Sequence, residues 1–108
     1  MIVEMREYTL RAGKVPEYLQ LYEREGLEIQ REILGHLVGY YATEVGPAVN
    51  QVVHLRAYES FEDRVARRQR LAAHPGWQSY VEKIRPMLVG QCNRIMRPAS
   101  FFEPQLRR

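Results

Sequence analysis

The chain has 108 residues, of which 45% are hydrophobic and 27% charged, with a formal net charge of +3. These values are typical of a single globular domain spanning residues 1–108, and no apolar run is long enough for a membrane span. The N-terminus alternates charged and apolar residues, unlike a signal peptide. The single Cys92 excludes an internal disulfide and a cysteine-based zinc site. A cytoplasmic protein without a membrane partner is therefore predicted.

Basic residues concentrate in one segment, RVARRQR at 64–70, and are elsewhere interleaved with Glu and Asp. The segment falls in a predicted helix, where such a pattern is more typical of a solvated face than of a phosphate-binding surface. No nucleic-acid partner is predicted.

The first half of the chain predicts a strand followed by a helix. Residues 2–10 alternate in polarity, which is typical of a strand, and RAGK with Gly13 predicts a turn. A helix is then predicted up to Gly35, because apolar positions recur at intervals of three and four: Val15, Tyr18, Leu19, Tyr22, Gly26, Ile29 and Ile33. Gly26 lowers helix stability, so its place on this stripe indicates a close approach to the sheet.

The second half predicts a hairpin, a broken helix and a last strand. Two β-prone segments, 36–46 and 49–59, flank the turn GPA. Ser60 and Asp63 form a capping box that begins a second helix, and HPG at 74–76 interrupts it. Residues 88–98 predict the last strand, and 99–108 form a tail.

The resulting order, β-α-β-β-α-β, predicts an α+β fold of the ferredoxin-like class, with a four-stranded antiparallel sheet, its first and third strands central and its helices on one face. The other sheet face is then uncovered. RNA binding there is disfavoured, because NQVVHLRAY lacks the glycine and phenylalanines of RNA-recognition strands. Two alternatives stay open: a dimer that encloses a ligand cavity, and a structural interface filled by side chains.

Polar side chains of the strands are expected on this uncovered face, while Val53, Leu55 and Ala57 are assigned to the core. The polar set would line a cavity between the sheet and a dimer partner. Its proposed substrate-binding members are Tyr8, Tyr40, Asn50, Arg56, Tyr58, Gln91 and Asn93.

The proposed catalytic members are His54, Glu4 and Arg6. His54 is the acid or base candidate, since histidine titrates at about pH 6.5. Arg6, together with Arg56, would stabilise an anion or enolate, and Glu4 would orient a neighbour. A structural interpretation remains beside this one, with Glu4 and Arg6 as a cross-strand ion pair and His54 as a hydrogen-bonded core residue.

Four other side chains are interpreted as structural. Cys92 is expected to face the helices, Arg64 and Arg68 to extend from the second helix into solvent, and Trp77 to belong to the core. The three histidines lack helical pair spacing, so no metal site is predicted.

Several segments resemble the NIPSNAP family: MIVEMREYTLRAGKVPEYL, LVGYYATEVGPAVNQVVHLRAYES, RRQRLAAHPGWQSY and GQCNRIMRPASFF. The shared features include E-x-R-x-Y in the first strand, G-Y-x-x-T-E-x-G in the hairpin, H-L-x-x-Y-x-S in the third strand and Q-x-N in the last. The resemblance covers nearly the whole chain and implies a homodimeric α+β barrel. Related barrels include cofactor-independent monooxygenases, isomerases and haem-handling enzymes, while NIPSNAP-like proteins of animals are associated with mitochondria, vesicle traffic and mitophagy signalling. At Arg56 the family usually has Trp, and this exchange favours an anionic ligand.

Two functional hypotheses follow. The first is a small-molecule enzyme that uses no cofactor and carries out proton-transfer or oxygenase-type chemistry on a small polar or anionic substrate. The second is a non-catalytic homodimer that serves as a ligand carrier or a protein-interaction module. The family resemblance implies no settled chemistry that would choose between them.

Overall fold

In the computed structural model, which describes residues 1–107, the strands form an antiparallel sheet in the order β2-β3-β1-β4. The strands are β1 (Ile2–Leu10), β2 (His36–Ala42), β3 (Gln51–Tyr58) and β4 (Leu88–Met96). The predicted ferredoxin-like arrangement, with β1 and β3 central, is confirmed. The hairpin strands are shorter than predicted, because residues 43–50 form a loop between them.

The helical elements form two groups along the chain. The first consists of α1 (Val15–Leu21), a π-helical turn (Tyr22–Gly26) and α2 (Leu27–Ile33). The second consists of α3 (Phe61–Ala73), α4 (Pro75–Ile84) and a 3₁₀ turn (Arg85–Met87). Within residues 1–107, none of these helices has both the length and the apolar character needed to cross a bilayer.

The helix ends follow the sequence signals. The Ser60 side chain accepts a hydrogen bond from the Asp63 backbone N–H at 3.0 Å, which confirms the predicted cap of α3. His74 caps α4 in the same way, since its Nδ1 accepts from the Gly76 N–H at 3.0 Å. Gly35 ends the first group with a φ of 90°, a conformation that favours glycine.

Strand register brings the polar residues into neighbouring rows. Arg6 of β1 stands opposite His54 of β3 and Asn93 of β4, and Tyr40 of β2 stands opposite His54. Glu4 and Arg56 are partners in the next row. Because side chains alternate between the faces of a strand, these residues share one face.

That shared face lies beneath the helices, so the predicted orientation of the sheet was wrong. Glu4, His54 and Arg56 are 1%, 3% and 3% exposed, whereas Val53 and Leu55 lie on the face opposite the helices. Polar strand residues are accommodated under the helices because helical tyrosines and arginines supply hydrogen-bond partners there. Alternation reveals which residues share a face, but not which face the helices cover.

The uncovered face, called the open face below, has an apolar part and a polar part. The apolar part contains Val3, Met5, Val53 and Leu55, and the polar part contains Glu7, Thr9, Gln51 and Arg94. The C-terminal segment folds back over one end of it, where Val3 and Leu55 line a groove of about 300 Å³ together with Phe102 and Pro104. Arg107 forms an antiparallel bridge with Leu37 at the β2 edge. Cys92 is exposed and lies opposite Glu7 on this face, so its predicted position against the helices was also wrong.

Candidate functional site

A chamber of about 170 Å³ lies between the sheet and the helices. Most of its wall is aromatic and is formed by Tyr8, Tyr18, Tyr22, Tyr40, Trp77 and Tyr80. The polar lining residues are Arg6, Gln30, His54, Arg68 and Gln91. This chamber lies inside a single chain, whereas the sequence predicted a cavity between the sheet and a dimer partner. Larger depressions of about 600 and 620 Å³ along the C-terminal segment and α3 are more open to solvent.

His54 is the most unusual polar group of the chamber. Its ring stacks on Tyr40 with centroids 4.8 Å apart and meets Tyr8 edge-on at 5.0 Å. Both ring nitrogens are buried and have no hydrogen-bond partner among residues 1–107. Burial, followed by the charges of Arg6 and Arg56, lowers the pKa of His54 to about 3. The imidazole is therefore neutral at neutral pH and lacks the imidazolium proton that a general acid would donate.

Glu4 is held in a network beside the chamber. Arg64 donates two hydrogen bonds to its carboxylate, each 2.9 Å long, and Arg6 and Asn93 donate one each at 3.2 and 2.9 Å. Burial works to raise the pKa of Glu4, but the Arg64 hydrogen bonds and the Arg6 charge outweigh it and lower the pKa. Glu4 is thus an ionised, fully engaged carboxylate that positions its neighbours, and Arg64 is a structural partner instead of the predicted solvated side chain.

Arg56 lies behind the chamber wall with much of its hydrogen-bonding capacity unused. Its Nη2 donates to the Tyr22 hydroxyl and to Gln30 Oε1, both at 2.9 Å. Its Nε and Nη1 are buried and have no partner in the described part of the chain. A buried guanidinium whose hydrogen bonds go only to neutral groups costs stability, because no carboxylate pairs with its charge.

Two further arginines face the chamber itself. Arg6 donates to the Tyr8 hydroxyl at 3.2 Å as well as to Glu4. Arg68 reaches the chamber from α3 and makes no hydrogen bond or ion pair with residues 1–107. Sequence reasoning assigned the Arg68 head group to solvent, although Arg68 lies three residues before Leu71, the buried residue of α3.

The tyrosine hydroxyls form short hydrogen bonds along the helix side of the chamber. The hydroxyls of Tyr18 and Tyr40 lie 3.1 Å apart, and Tyr22 donates to Gln30 at 2.6 Å. Burial raises the pKa of Tyr18, Tyr40 and Tyr80, so all three keep their protons. The Tyr80 hydroxyl is buried without a partner within the described residues. The wall therefore offers hydrogen-bond donors.

The structure places some of the predicted site residues together at the chamber and others elsewhere. Five predicted residues line the chamber: Arg6, Tyr8, Tyr40, His54 and Gln91. Glu4, Arg56 and Asn93 adjoin it through the contacts above. Asn50 instead donates to the Leu10 carbonyl at 2.6 Å, and Tyr58 packs in a separate core cluster with Leu34, so neither belongs to the site.

Sequence reasoning missed the helical contribution to the chamber, namely Tyr18, Tyr22, Gln30, Arg68, Trp77 and Tyr80. Tyr18 and Tyr22 were visible on the apolar stripe, but a stripe does not distinguish a cavity wall from a packed core. Within residues 1–107, His, Cys, Asp and Glu side chains form no group of three or more that could hold a metal ion.

Comparison with known proteins identifies the family. The NIPSNAP family model matches residues 3–103. Human NipSnap homolog 3A is 35% identical over 75 residues, which are 69% of this chain and 30% of that protein. The chain thus spans about a third of the length of the curated relatives that it matches.

Solved structures agree with this match. A protein from Agrobacterium tumefaciens superimposes with a TM-score of 0.93 at 46% identity, covering 97% of this chain and all of that one. An uncharacterized NIPSNAP-like domain protein from Burkholderia xenovorans gives 0.91 at 52% identity, covering 98% and 90%.

A more distant structure shares the fold alone. An antibiotic biosynthesis monooxygenase superimposes with a TM-score of 0.64 at 13% identity, over 92% of this chain and 99% of that one. At this identity the likeness carries no activity to this chain. The family match and the close structural relatives together show that the chain belongs to the NIPSNAP family.

Proposed function

We propose that the chamber binds a compact small molecule carrying a negative charge. The supporting observation is that the space between the sheet and the helices contains more positively than negatively charged side chains. Glu4 is the one carboxylate among the buried residues of 1–107, and Arg64 and Arg6 already engage it. Arg56 and Arg68 have no carboxylate partner in this part of the chain. A ligand anion would supply the missing charge.

Arg68 is the group that would contact this anion directly. It faces the chamber with its donors unused, and His54 offers an uncharged ring beside it. The volume of about 170 Å³ is smaller than that of sites for drug-sized ligands, which begin at roughly 300 Å³. The ligand class is therefore a small carboxylate or enolate, no larger than one substituted ring.

Binding, as in a ligand carrier, is favoured over acid–base chemistry by the state of His54. A base with a pKa of about 3 accepts protons weakly at neutral pH. It becomes more basic only when a negative ligand lies beside it, because an opposite charge stabilises the imidazolium. Proton transfer or an oxygenase-type reaction would therefore require an anionic substrate.

Calorimetric titration with benzoate and with its neutral analogue benzamide tests the proposal. We expect benzoate to bind and benzamide to bind at least about tenfold more weakly, since the analogue leaves the arginines without a counter-charge. Arg68→Gln should weaken benzoate binding by a similar factor. Arg70→Gln, on the solvent side of α3, is the matched control and should leave it unchanged. Equal binding of the two probes, or an unchanged Arg68→Gln variant, contradicts an anion site.

We also propose that two copies pair through the open face to form a homodimer. Met5, Val53 and Leu55 lie there only half-buried, and solvent-facing apolar sheet surfaces of this kind mark interaction sites. Pairing of the open face of one copy with the open face of the other would give a two-fold symmetric interface.

Sedimentation equilibrium tests this pairing. The wild-type chain should sediment as a dimer, and Leu55→Lys should shift it toward the monomer by placing a charge in the apolar contact. Ser79→Lys, on the exposed side of α4, is the control and should remain dimeric. A monomeric wild-type chain at micromolar concentration overturns the dimer but not the chamber. The cytoplasmic location and the lack of a nucleic-acid partner stay predictions.

A further inference from the structure

The π-helical turn Tyr22–Gly26 interrupts the first helical group directly over the chamber. The backbone N–H of Leu27 donates to the carbonyl of Tyr22, five residues earlier, which is the hydrogen bond that defines a π turn. Such turns are rare and occur frequently at functional sites. The proposed charge preference of the chamber does not explain why the helix departs from α geometry at this place.

The turn changes which residues face the chamber. Tyr18, Tyr22, Gly26 and Gln30 recur every four residues and are all buried. In a continuous α-helix, four residues exceed a full turn by about 40°, so three such steps drift by roughly 120°. A π turn contains more residues per turn and offsets part of this drift. The four residues are thereby kept on the chamber side of one helix.

Gly26 lets two aromatic rings approach the backbone of the turn very closely. A Cβ atom at this position would lie 2.9 Å from Cδ1 of Tyr22 and 3.2 Å from Cε2 of Tyr80. Real Cβ atoms do not approach neighbours within 3.0 Å, so a side chain at Gly26 would have to displace a ring. Trp77 packs against Tyr80 with centroids 4.9 Å apart, and the nearest empty space beside both tyrosines is the chamber.

We infer that the π turn, through Gly26, holds the rings of Tyr22 and Tyr80 as the wall that limits the size of the ligand. Gly26 is in this sense a specificity-determining residue that need not touch the ligand. The inference rests on the proposed function, because it concerns which anions the chamber admits. It adds that the turn selects by size while the arginines select by charge.

Calorimetric titration of Gly26→Ala with acetate and benzoate tests the inference. The added methyl should push a ring into the chamber and weaken benzoate binding by at least about tenfold, while the smaller acetate should bind within about twofold of wild type. Gly90→Ala is the matched control, because a Cβ at Gly90 meets no atom within 4 Å. This control should bind both carboxylates as wild type does.

An enlarging variant tests the same wall without Gly26. Tyr80→Leu should admit 1-naphthoate, which the wild-type chamber should exclude. Equal losses of acetate and benzoate in Gly26→Ala indicate a general structural role and overturn the inference. If Gly26→Ala does not fold, an unchanged size preference in Tyr80→Leu overturns it as well. A wild-type protein that binds neither acetate nor benzoate contradicts the proposed function itself, whereas wild-type binding with an unchanged Gly26→Ala contradicts only the inference.

Discussion

The two faces of the sheet are built from the same strands but carry side chains of different polarity. On the helix face, β1 and β3 carry Glu4, Arg6 and His54, all enclosed by helical side chains. On the open face, alternate positions of the same strands carry apolar residues such as Met5 and Leu55, which are only half-buried. In most small domains, the covered face would be apolar and the solvent-facing one polar.

This inversion carries an energetic cost on both faces. Charges removed from water must be compensated inside the subunit, and apolar groups left in water forgo about 25 cal/mol for each Å² that burial would remove from solvent. Such costs are typical of positions that serve function instead of stability. This comparison is the basis for proposing a ligand on the helix face and a second copy of the chain on the open face.

Removal of the Glu4 charge should have the largest effect on stability. Glu4→Gln leaves Arg6 and Arg64 close together without their carboxylate, and we expect a loss of about 3–5 kcal/mol in the free energy of unfolding. Urea denaturation measures it. Glu28→Gln breaks the exposed pair with Arg31 and should cost less than about 1 kcal/mol. Similar losses in the two variants would show that burial does not make the ion pairs of Glu4 more important for stability than the exposed pair.

Adjacent valines of β3 compare the two faces directly. Val52 is fully buried on the helix face and Val53 is half-buried on the open face. Val52→Ala should destabilise the chain by about 2 kcal/mol because it leaves a cavity, and Val53→Ala by about 1 kcal/mol or less. Urea denaturation at low protein concentration separates this effect from dimerisation. A larger loss at Val53 would contradict the orientation of the sheet.

His54 should make the free energy of unfolding depend on pH. Its pKa is about 3 in the folded chain and about 6.5 when unfolded, so the unfolded state binds the proton first. Stability should therefore fall as the pH drops below about 6, approaching a slope of about 1.4 kcal/mol per pH unit from this residue. Denaturation measured at several pH values down to about 4 tests this expectation.

The control compares slopes and not absolute stabilities. His54→Asn should flatten the pH dependence over that range, because it removes the group whose proton affinity differs between the folded and unfolded states. Val53→Ala, which removes no titratable group, should keep the wild-type slope. An unchanged slope in His54→Asn would mean that His54 binds its proton equally well in the folded and unfolded states.

Most of the fold could be predicted because its signals are local. Alternation in β1 and β3, the Ser60 cap and Gly35 each act on neighbouring backbone, and together they determine the order of elements. Residues 43–46 and 49–50 of the loop were predicted as strand because Val45 and Val49 have high β-propensity, yet both valines are exposed and packing does not support a strand there.

The site could be predicted only where it lies on strands. Arg6 and His54 were identified together, since register and alternation place them side by side. The direction in which they point depends on which face the helices cover, and period-two patterning is the same for either choice. The inward position of Arg68 and the π turn depend on long-range packing, which local sequence patterns do not specify.

The bridge between Leu37 and Arg107 has a consequence for self-association. β2 is an edge strand, and its free backbone groups could otherwise recruit a strand from another molecule. Arg107 occupies part of this edge, and the irregular pairing between Leu37 and Gly39 bends the adjoining stretch away from ideal geometry. Lateral growth into a continuous ribbon, the first step of fibril formation, is thereby obstructed on this side of the molecule.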